Sequence, residues 1–169
     1  DELEKLIAEK EGAMQQLKTA VANALKGFEG KGLTIVNKNG KIYVSMENKL
    51  LFNSGSWAVG ETGRTAVQKL AKVLSENPDI SVLIEGHTDN DPYNGPVIKD
   101  NWDLSVKRAT AIVRVLENSN VSEKQITAAG RGEFVPIASN NSKEGKAKNR
   151  RIEIILSPNL DEIAKLLTE

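Results

Sequence analysis

Two short stretches hold the residues best suited to chemistry: Glu85-Gly86-His87-Thr88-Asp89-Asn90, and Asn101-Trp102-Asp103-Leu104-Ser105-Val106-Lys107-Arg108-Ala109. A β-prone apolar run, Ile80 to Ile84, precedes the first, so Asp89 falls just past a strand end. The second opens a helical pattern in which Leu104, Arg108, Ala111, Ile112 and Val115 share one side. At about 100° per residue, Arg108 lies in the middle of that apolar stripe. A guanidinium facing a core stays charged, and leaving it unpaired there costs several kcal/mol. It therefore needs an anion. Two sources remain open: an internal carboxylate such as Asp89, or the carboxylate of a ligand held beside Asp89. Arg150, just ahead of the final strand, offers a second guanidinium. Such a cluster suits a zwitterion, its ammonium on Asp89 and its carboxylate in a two-pronged contact from Arg108.

Other chemistries find less support. One histidine and no cysteine leave a zinc site short of ligands. No nucleophile-elbow pattern accompanies His87, which reads as a hydrogen-bonded strand-end residue. Glu85 and Asp89 form an acid/base pair only if strand alternation does not turn Glu85 away. Gly130 and Gly132 lack the six-residue phosphate fingerprint and its helix. Lys146, Lys148, Arg150 and Arg151 form a basic run of the kind that is ordinarily a solvated face. The expectation is a binding protein, not an enzyme, that calls for no metal or cofactor.

The 169 residues allow one ordinary domain and an extra element. With 39% apolar and 27% charged residues the chain reads as soluble and globular, and its few aromatics make the core aliphatic. Basic and acidic residues balance at 23 each, so no strong field draws it to nucleic acid or anionic lipid. Without cysteine, disulfides are excluded, which is compatible with any compartment. No apolar run of about 18 residues occurs, so a membrane span is expected only in a segment outside this chain. The abrupt helical start suggests a piece of a longer protein.

Residues 2 to 28 carry Ile7, Met14, Val21 and Phe28 in heptad spacing, with Leu3, Leu17 and Ala24 between and Lys10 in a seam position. Residues 1–29 are therefore read as a helical stalk, a candidate coiled coil and homodimer contact, against packing on the following domain. Gly30-Lys31-Gly32 marks a boundary. Asn39-Gly40 between Leu33–Asn37 and Lys41–Met46 predicts a hairpin. Trp57, in the loop after Leu50-Leu51-Phe52, reads as a core plug. A helix from Glu61 to Glu76 ends at Asn77-Pro78. Residues 90 to 101, with Pro92, Gly95 and Pro96, form an excursion at the mouth of the site. Ser122 and Gln125 have capping-box spacing. Thr127 to Arg131 is an edge segment, Ala138 to Lys148 a polar loop, and Ile152 to Leu156 the last strand before a short helix. The predicted fold is α+β: a two-layer sandwich with a mixed sheet, a hairpin followed by a βαβαβ-type core over residues 33–158, a long N-terminal helix before it and a C-terminal helix over 159–169.

Four stretches together, namely Glu85 to Asn90, Asn101 to Ser105 with Arg108-Ala109, Gly130-Arg131-Gly132-Glu133 through Pro136, and Asn149-Arg150-Arg151-Ile152-Glu153, resemble the OmpA-like C-terminal domain in the right order. This is the peptidoglycan-associating module of Gram-negative envelope proteins, and the resemblance runs from about Leu50 to Leu156. It implies non-covalent binding of the wall peptide, chiefly its diaminopimelate residue. By motif position, Asp89 and Arg108 are the principal ligands, Thr88 and Asn101 neighbouring hydrogen-bonders, Arg150 a further carboxylate contact, and Leu104 with Ser105 the pocket wall. One departure follows Phe52, where Asn53, Ser54 and Gly55 replace the family's aspartate and asparagine, so no ligand contact is carried over there. The chain is also similar to the periplasmic part of flagellar stator subunits. The resemblance thus implies a periplasmic tether joining the outer membrane to the wall or, alternatively, a stator anchor. The stalk favours the tether.

Overall fold

The computed structural model describes residues 1–168. Asp1 caps the first helix, α1 (Glu2–Ala24), by accepting from the Glu4 amide at 2.8 Å. Strands β1 (Leu33–Lys38) and β2 (Lys41–Glu47) form the expected hairpin. Its turn residues, Asn39 and Gly40, both take positive φ (54° and 75°), the twist that lets a two-residue turn follow the strands. A single helical turn, α2 (Asn48–Leu51), leads to α3 (Glu61–Ser75) and β3 (Ser81–His87). The remaining elements are α4 (Asn101–Asn118), a 3₁₀ turn at Glu123–Gln125, β4 (Ile126–Gly130), α5 (Lys143–Asn149), β5 (Arg151–Ser157) and α6 (Asp161–Thr168). No helix among the described residues is long and apolar enough to cross a membrane.

The strands form one mixed sheet in the order β1-β2-β5-β3-β4, in which the β3–β4 pairing is parallel and the others antiparallel. Ile42, Val44 and Met46 of β2, Val82 and Ile84 of β3, and Ile152, Ile154 and Leu156 of β5 point to one face. There they meet Val67, Leu70 and Leu74 of α3 and Ile112, Val115 and Leu116 of α4, giving the expected two layers with an aliphatic core.

The N-terminal helix corrects one expectation. Met14, Leu17 and Val21, together with Leu25 beyond the helix end, are buried in that same core. Residues 1–29 are therefore no separate stalk, and Gly30–Gly32 turns the chain within one packed unit. A heptad stripe and a core-facing stripe have the same spacing, and here the sheet and α3 supply the partner surface. Of the seam positions ahead of Met14, Leu3 is half-buried and Ile7 is exposed.

Other local readings also shift. Trp57 is only half-buried, with the Lys107 ammonium 5.9 Å from its ring centroid, so it plugs no core. Gln125 does not close a capping box; it donates to the Asn77 and Ile80 carbonyls beyond the end of α3 (2.9 and 3.0 Å). The polar loop contains α5, capped by Ser142, which accepts from Gly145 at 3.0 Å. Lacking apolar periodicity, α5 gave no helical signal.

Helix α4 crosses β3 and β4 at very short range. A Cβ on Gly86 would lie 2.1 Å from the Ser105 carbonyl oxygen, and one on Gly130 2.4 Å from a Val106 methyl. This approach sets the depth at which α4 presents its next turn, which carries Arg108. Gly86→Ala is accordingly expected to cost about 3 kcal/mol by overpacking against backbone that cannot yield. Urea denaturation of the variant, with its midpoint compared at constant slope, measures that cost.

Candidate functional site

The strand register builds the site. In the β3–β5 ladder His87 pairs with Arg151, so Arg150, just before β5, stands beside Thr88 and Asp89, just after β3. Glu47, at the end of β2, also pairs with Arg151, and the Asn48 amide donates to the Arg150 carbonyl at 2.8 Å. Three strand ends therefore converge where α4 begins. Between them lies a cavity of about 490 Å³, within the range of small-ligand sites, whose lining includes Thr88, Asp89, Asn101, Leu104, Arg108 and Arg150. Six of the seven residues that the resemblance assigned to the ligand site share this one cavity.

Their partners differ from the simplest expectation. The Asp89 carboxylate pairs with Arg150, Oδ2 to Nη1 at 2.6 Å, and accepts from the Asp91 amide at 2.9 Å through Oδ1. Arg108, 6% exposed, is in no ion pair among the described residues. Its Nε donates to the Ser56 carbonyl at 3.0 Å, and its guanidinium carbon stands 5.5 Å from the centroid of Phe52. Burial pushes the Arg108 guanidinium below its ordinary value; Tyr93 and Asp89 oppose that shift and Arg150 adds to it. The site thus holds a desolvated cation that the nearby acid, engaged by Arg150, does not neutralise. Of the two anion sources left open by the sequence, the internal Asp89–Arg108 ion pair is not formed.

Several groups serve the walls. The Thr88 hydroxyl donates to the Asp89 carbonyl at 2.8 Å, and Asn101 Nδ2 donates to the Asp91 carbonyl at 3.0 Å, tying the excursion back to α4. That excursion supplies Pro92 and Tyr93 to the cavity lining, while Ile98 anchors it as a buried residue. Ser105 does not line the cavity as the resemblance implied. Its Oγ accepts from the Gly132 amide at 3.0 Å and donates to the Trp102 carbonyl at 2.9 Å. Asn53, Ser54 and Gly55 do line the cavity, although no contact was carried over to them. Asn48 was missed altogether: it is 7% exposed, lines the cavity, and has both amide atoms without partners. Nothing in its own sequence neighbourhood signals this, because its position depends on where β2 ends against β5.

Apart from the exposed Lys148, the basic run is not a solvated face. Lys146 reaches Asp91 at 2.7 Å, Arg150 reaches Asp89, and Arg151 is 1% exposed. Arg151 belongs to a second cluster, on the sheet face away from the helices. There Glu85 and Glu153 face each other across the ladder, and His87 Nε2 lies 2.9 Å from Glu85 and 3.6 Å from Glu153. Alternation does turn Glu85 away from Asp89, as the acid/base reading required it not to. These three donor groups lie within 4.8 Å of one another, a metal-like spacing. Arg151, 3.5 Å from Glu153, brings a compensating positive charge from within the protein.

The hydrogen bond from His87 holds the Glu85 carboxyl below its ordinary 4.5, against the opposing effect of burial and aided by the charges of His87, Arg131 and Arg151. A carboxyl lowered by folding adds stability that is complete above the unfolded value and disappears as pH falls through the native one. Glu85→Gln should therefore lower Tm near neutral pH, with the gap to wild type closing as the pH drops below 4.5. Thermal melts of both proteins across that window check the sign.

A family model described as the OmpA family matches residues 51–150, a stretch that contains most of the cavity lining, Asp89, Arg108 and Arg150 included. The chain belongs to the OmpA family. Motility protein B of Bacillus subtilis is 34% identical over 118 residues, covering 69% of this chain and 45% of that protein. Probable lipoprotein YiaD of Escherichia coli is 36% identical over 131 residues, covering 78% of this chain and 58% of that protein. The chain thus spans about half the length of these curated relatives. Among solved structures, the cell wall anchor of the type VI secretion system from Pseudomonas aeruginosa superposes with a TM-score of 0.75 at 29% identity, covering 82% of this chain and 96% of that one. The OmpA-family match begins at Leu51, so α1 and the hairpin lie outside it even though α1 shares the core.

Proposed function

We propose that this OmpA-family domain binds peptidoglycan non-covalently, taking the zwitterionic end of the diaminopimelate residue into the cavity between Asp89 and Arg108. The observation that carries the reading is Arg108: a buried guanidinium beside an acid that pairs with a different arginine. A ligand carboxylate would supply the missing anion in a two-pronged contact, and its ammonium would approach Asp89. Thr88 and Asn101 hold the Asp89 loop in shape, Leu104 provides the apolar wall, and Arg150 shares its charge between Asp89 and the ligand. The P. aeruginosa neighbour, described as a cell wall anchor, supports the same role.

In the cell the domain would work in the periplasm of a Gram-negative bacterium, tethering the outer membrane to the wall through a segment outside this chain, as the likeness to a probable lipoprotein supports. A stator-type anchor is the second reading, favoured by the match to Motility protein B and by an α1 that packs instead of extending as a spacer. Sedimentation of the chain with purified sacculi tests the binding. Free diaminopimelate should displace it and free lysine should not; co-sedimentation unaffected by either would reject the site. Density fractionation of the full-length protein separates tether from stator by the membrane with which it travels.

A further inference from the structure

The Asp89 loop has a second neighbour that the peptide site does not use. Trp102 and Phe134 are 49% and 60% exposed, and their ring centroids stand 5.1 Å apart at 33°. Large aromatics held in contact with each other and with solvent are uncommon on a surface that has no use for them. The pair is held in place. Gly132 adopts φ 58°, and a Cβ there would meet both rings at 3.3–3.4 Å, so the absent side chain leaves them a bed. The Gly132 carbonyl accepts from the Thr88 amide at 2.9 Å, and its amide donates to Ser105. One residue, Gly132, therefore fixes the aromatic pair relative to the Asp89 loop.

Beside the pair lies a cavity of about 360 Å³ whose rim includes Asn90, Asp100 and Glu133. It shares Pro92, Tyr93 and Asn101 with the cavity that holds Arg108. An aromatic face bordered by carboxylates and an amide is the chemistry of a pyranose site: the ring's C–H face lies on the aromatic surface and its hydroxyl or amide groups reach the polar rim. A protein partner is less well served, since two rings fall far short of the roughly 1,200 Å² that a specific protein interface buries.

From this geometry we infer that Trp102 and Phe134 form a platform for an amino sugar of the glycan strand, so that the domain grips the wall polymer by its sugar as well as by its peptide. The inference rests on the peptide-site reading. It follows from the adjoining cavities, which share three lining residues, because only a few peptide residues, each extending about 3.5 Å at most, separate a stem residue from the sugar that carries the stem.

Calorimetry with two probes tests it: a diaminopimelate-containing stem peptide alone, and the same peptide on its N-acetylglucosaminyl–N-acetylmuramyl disaccharide. The unaltered chain is expected to bind the second about fivefold to tenfold more tightly. Trp102→Ala and Phe134→Ala should each remove that gain and leave affinity for the sugar-free peptide unchanged, which also certifies the fold of each variant. Phe134→Ala retains Trp102, whose fluorescence should no longer respond to the disaccharide. Equal affinity of the unaltered chain for both probes, or a gain that survives both substitutions, overturns the platform and leaves the peptide site standing. A loss toward both probes assigns the pair to structure or to another partner and overturns it as well. Failure of the unaltered chain to bind either probe removes the peptide site, and the platform with it.

Discussion

Arg108→Ala is expected to abolish co-sedimentation with sacculi while leaving the fold intact. Truncating one partner of a buried charge pair typically costs about 2–5 kcal/mol of binding, at least ~30-fold in affinity. The cost to stability should be small, because in the free protein Arg108 has no ion pair to lose: its contacts are one hydrogen bond to Ser56 and the face of Phe52, set against the desolvation of its charge. The two effects therefore separate, with binding lost and Tm shifted by only a few degrees, corresponding to about 1 kcal/mol or less. Arg108→Lys sharpens the test. Lysine retains the charge but not the planar fork, so it should rescue stability without restoring tight binding. On the ligand side, converting the diaminopimelate carboxylate to an amide should weaken wild type about as much as the alanine substitution, and weaken Arg108→Ala no further. Sacculus binding by Arg108→Ala equal to that of wild type would mean that the buried guanidinium serves the fold alone. Asp89→Ala should lose binding by another route, since it removes the acid and releases Arg150 into the cavity.

How far the sequence discloses this site depends on the range over which each residue is positioned. Arg108 was legible because helical periodicity is local: its place on the stripe of α4 needs only the residues one turn away. Asp89 was legible for a similar reason, as a polar residue at the end of a β-prone run. The fold class followed from the same signals, with Asn39-Gly40 and Asn77-Pro78 marking two of the joints. The pairing of Asp89 with Arg150 instead of Arg108 was not legible. It depends on the β3–β5 register, which joins residues more than 60 positions apart in sequence. Asn48 was hidden for the same reason. For α1, spacing told which face was apolar and left open what the face would meet, and the domain core met it. Arg151 was misread because a charged residue in a basic run looks solvated until the strand carrying it is placed between two others.

That placement makes Arg151→Ala the most destabilising charge deletion expected in this chain. Arg151 lies on β5, between β2 and β3, and is 1% exposed. Its Nη2 donates to the Val135 carbonyl at 3.1 Å, its Nη1 to the Asn149 carbonyl at 3.2 Å, and its Nε lies 3.5 Å from Glu153. Burial lowers its ordinary value, and the charges of Glu153 and Glu85 act to restore it. Alanine at this position would leave Glu85 and Glu153 facing each other across the ladder with one positive group fewer between them, and would strip two carbonyls of their donors. Breaking a buried charge cluster on one side costs about 3–5 kcal/mol, a large share of the ~5–15 kcal/mol that holds a domain folded. Chemical denaturation of Arg151→Ala should show that loss. Adding Glu153→Gln should recover part of it by removing one of the opposed carboxylates, a coupling that a double-mutant cycle reads directly. If Glu153→Gln instead adds its own full cost on top of the first, the cluster is a set of independent contacts and charge balance is not what holds it. The consequence for the site is geometric, because the backbone on either side of Arg151 fixes Arg150 against Asn48 and Asp89. Arg151→Ala should therefore weaken sacculus binding only in proportion to the fraction unfolded, whereas Arg108→Ala weakens it with the fold intact.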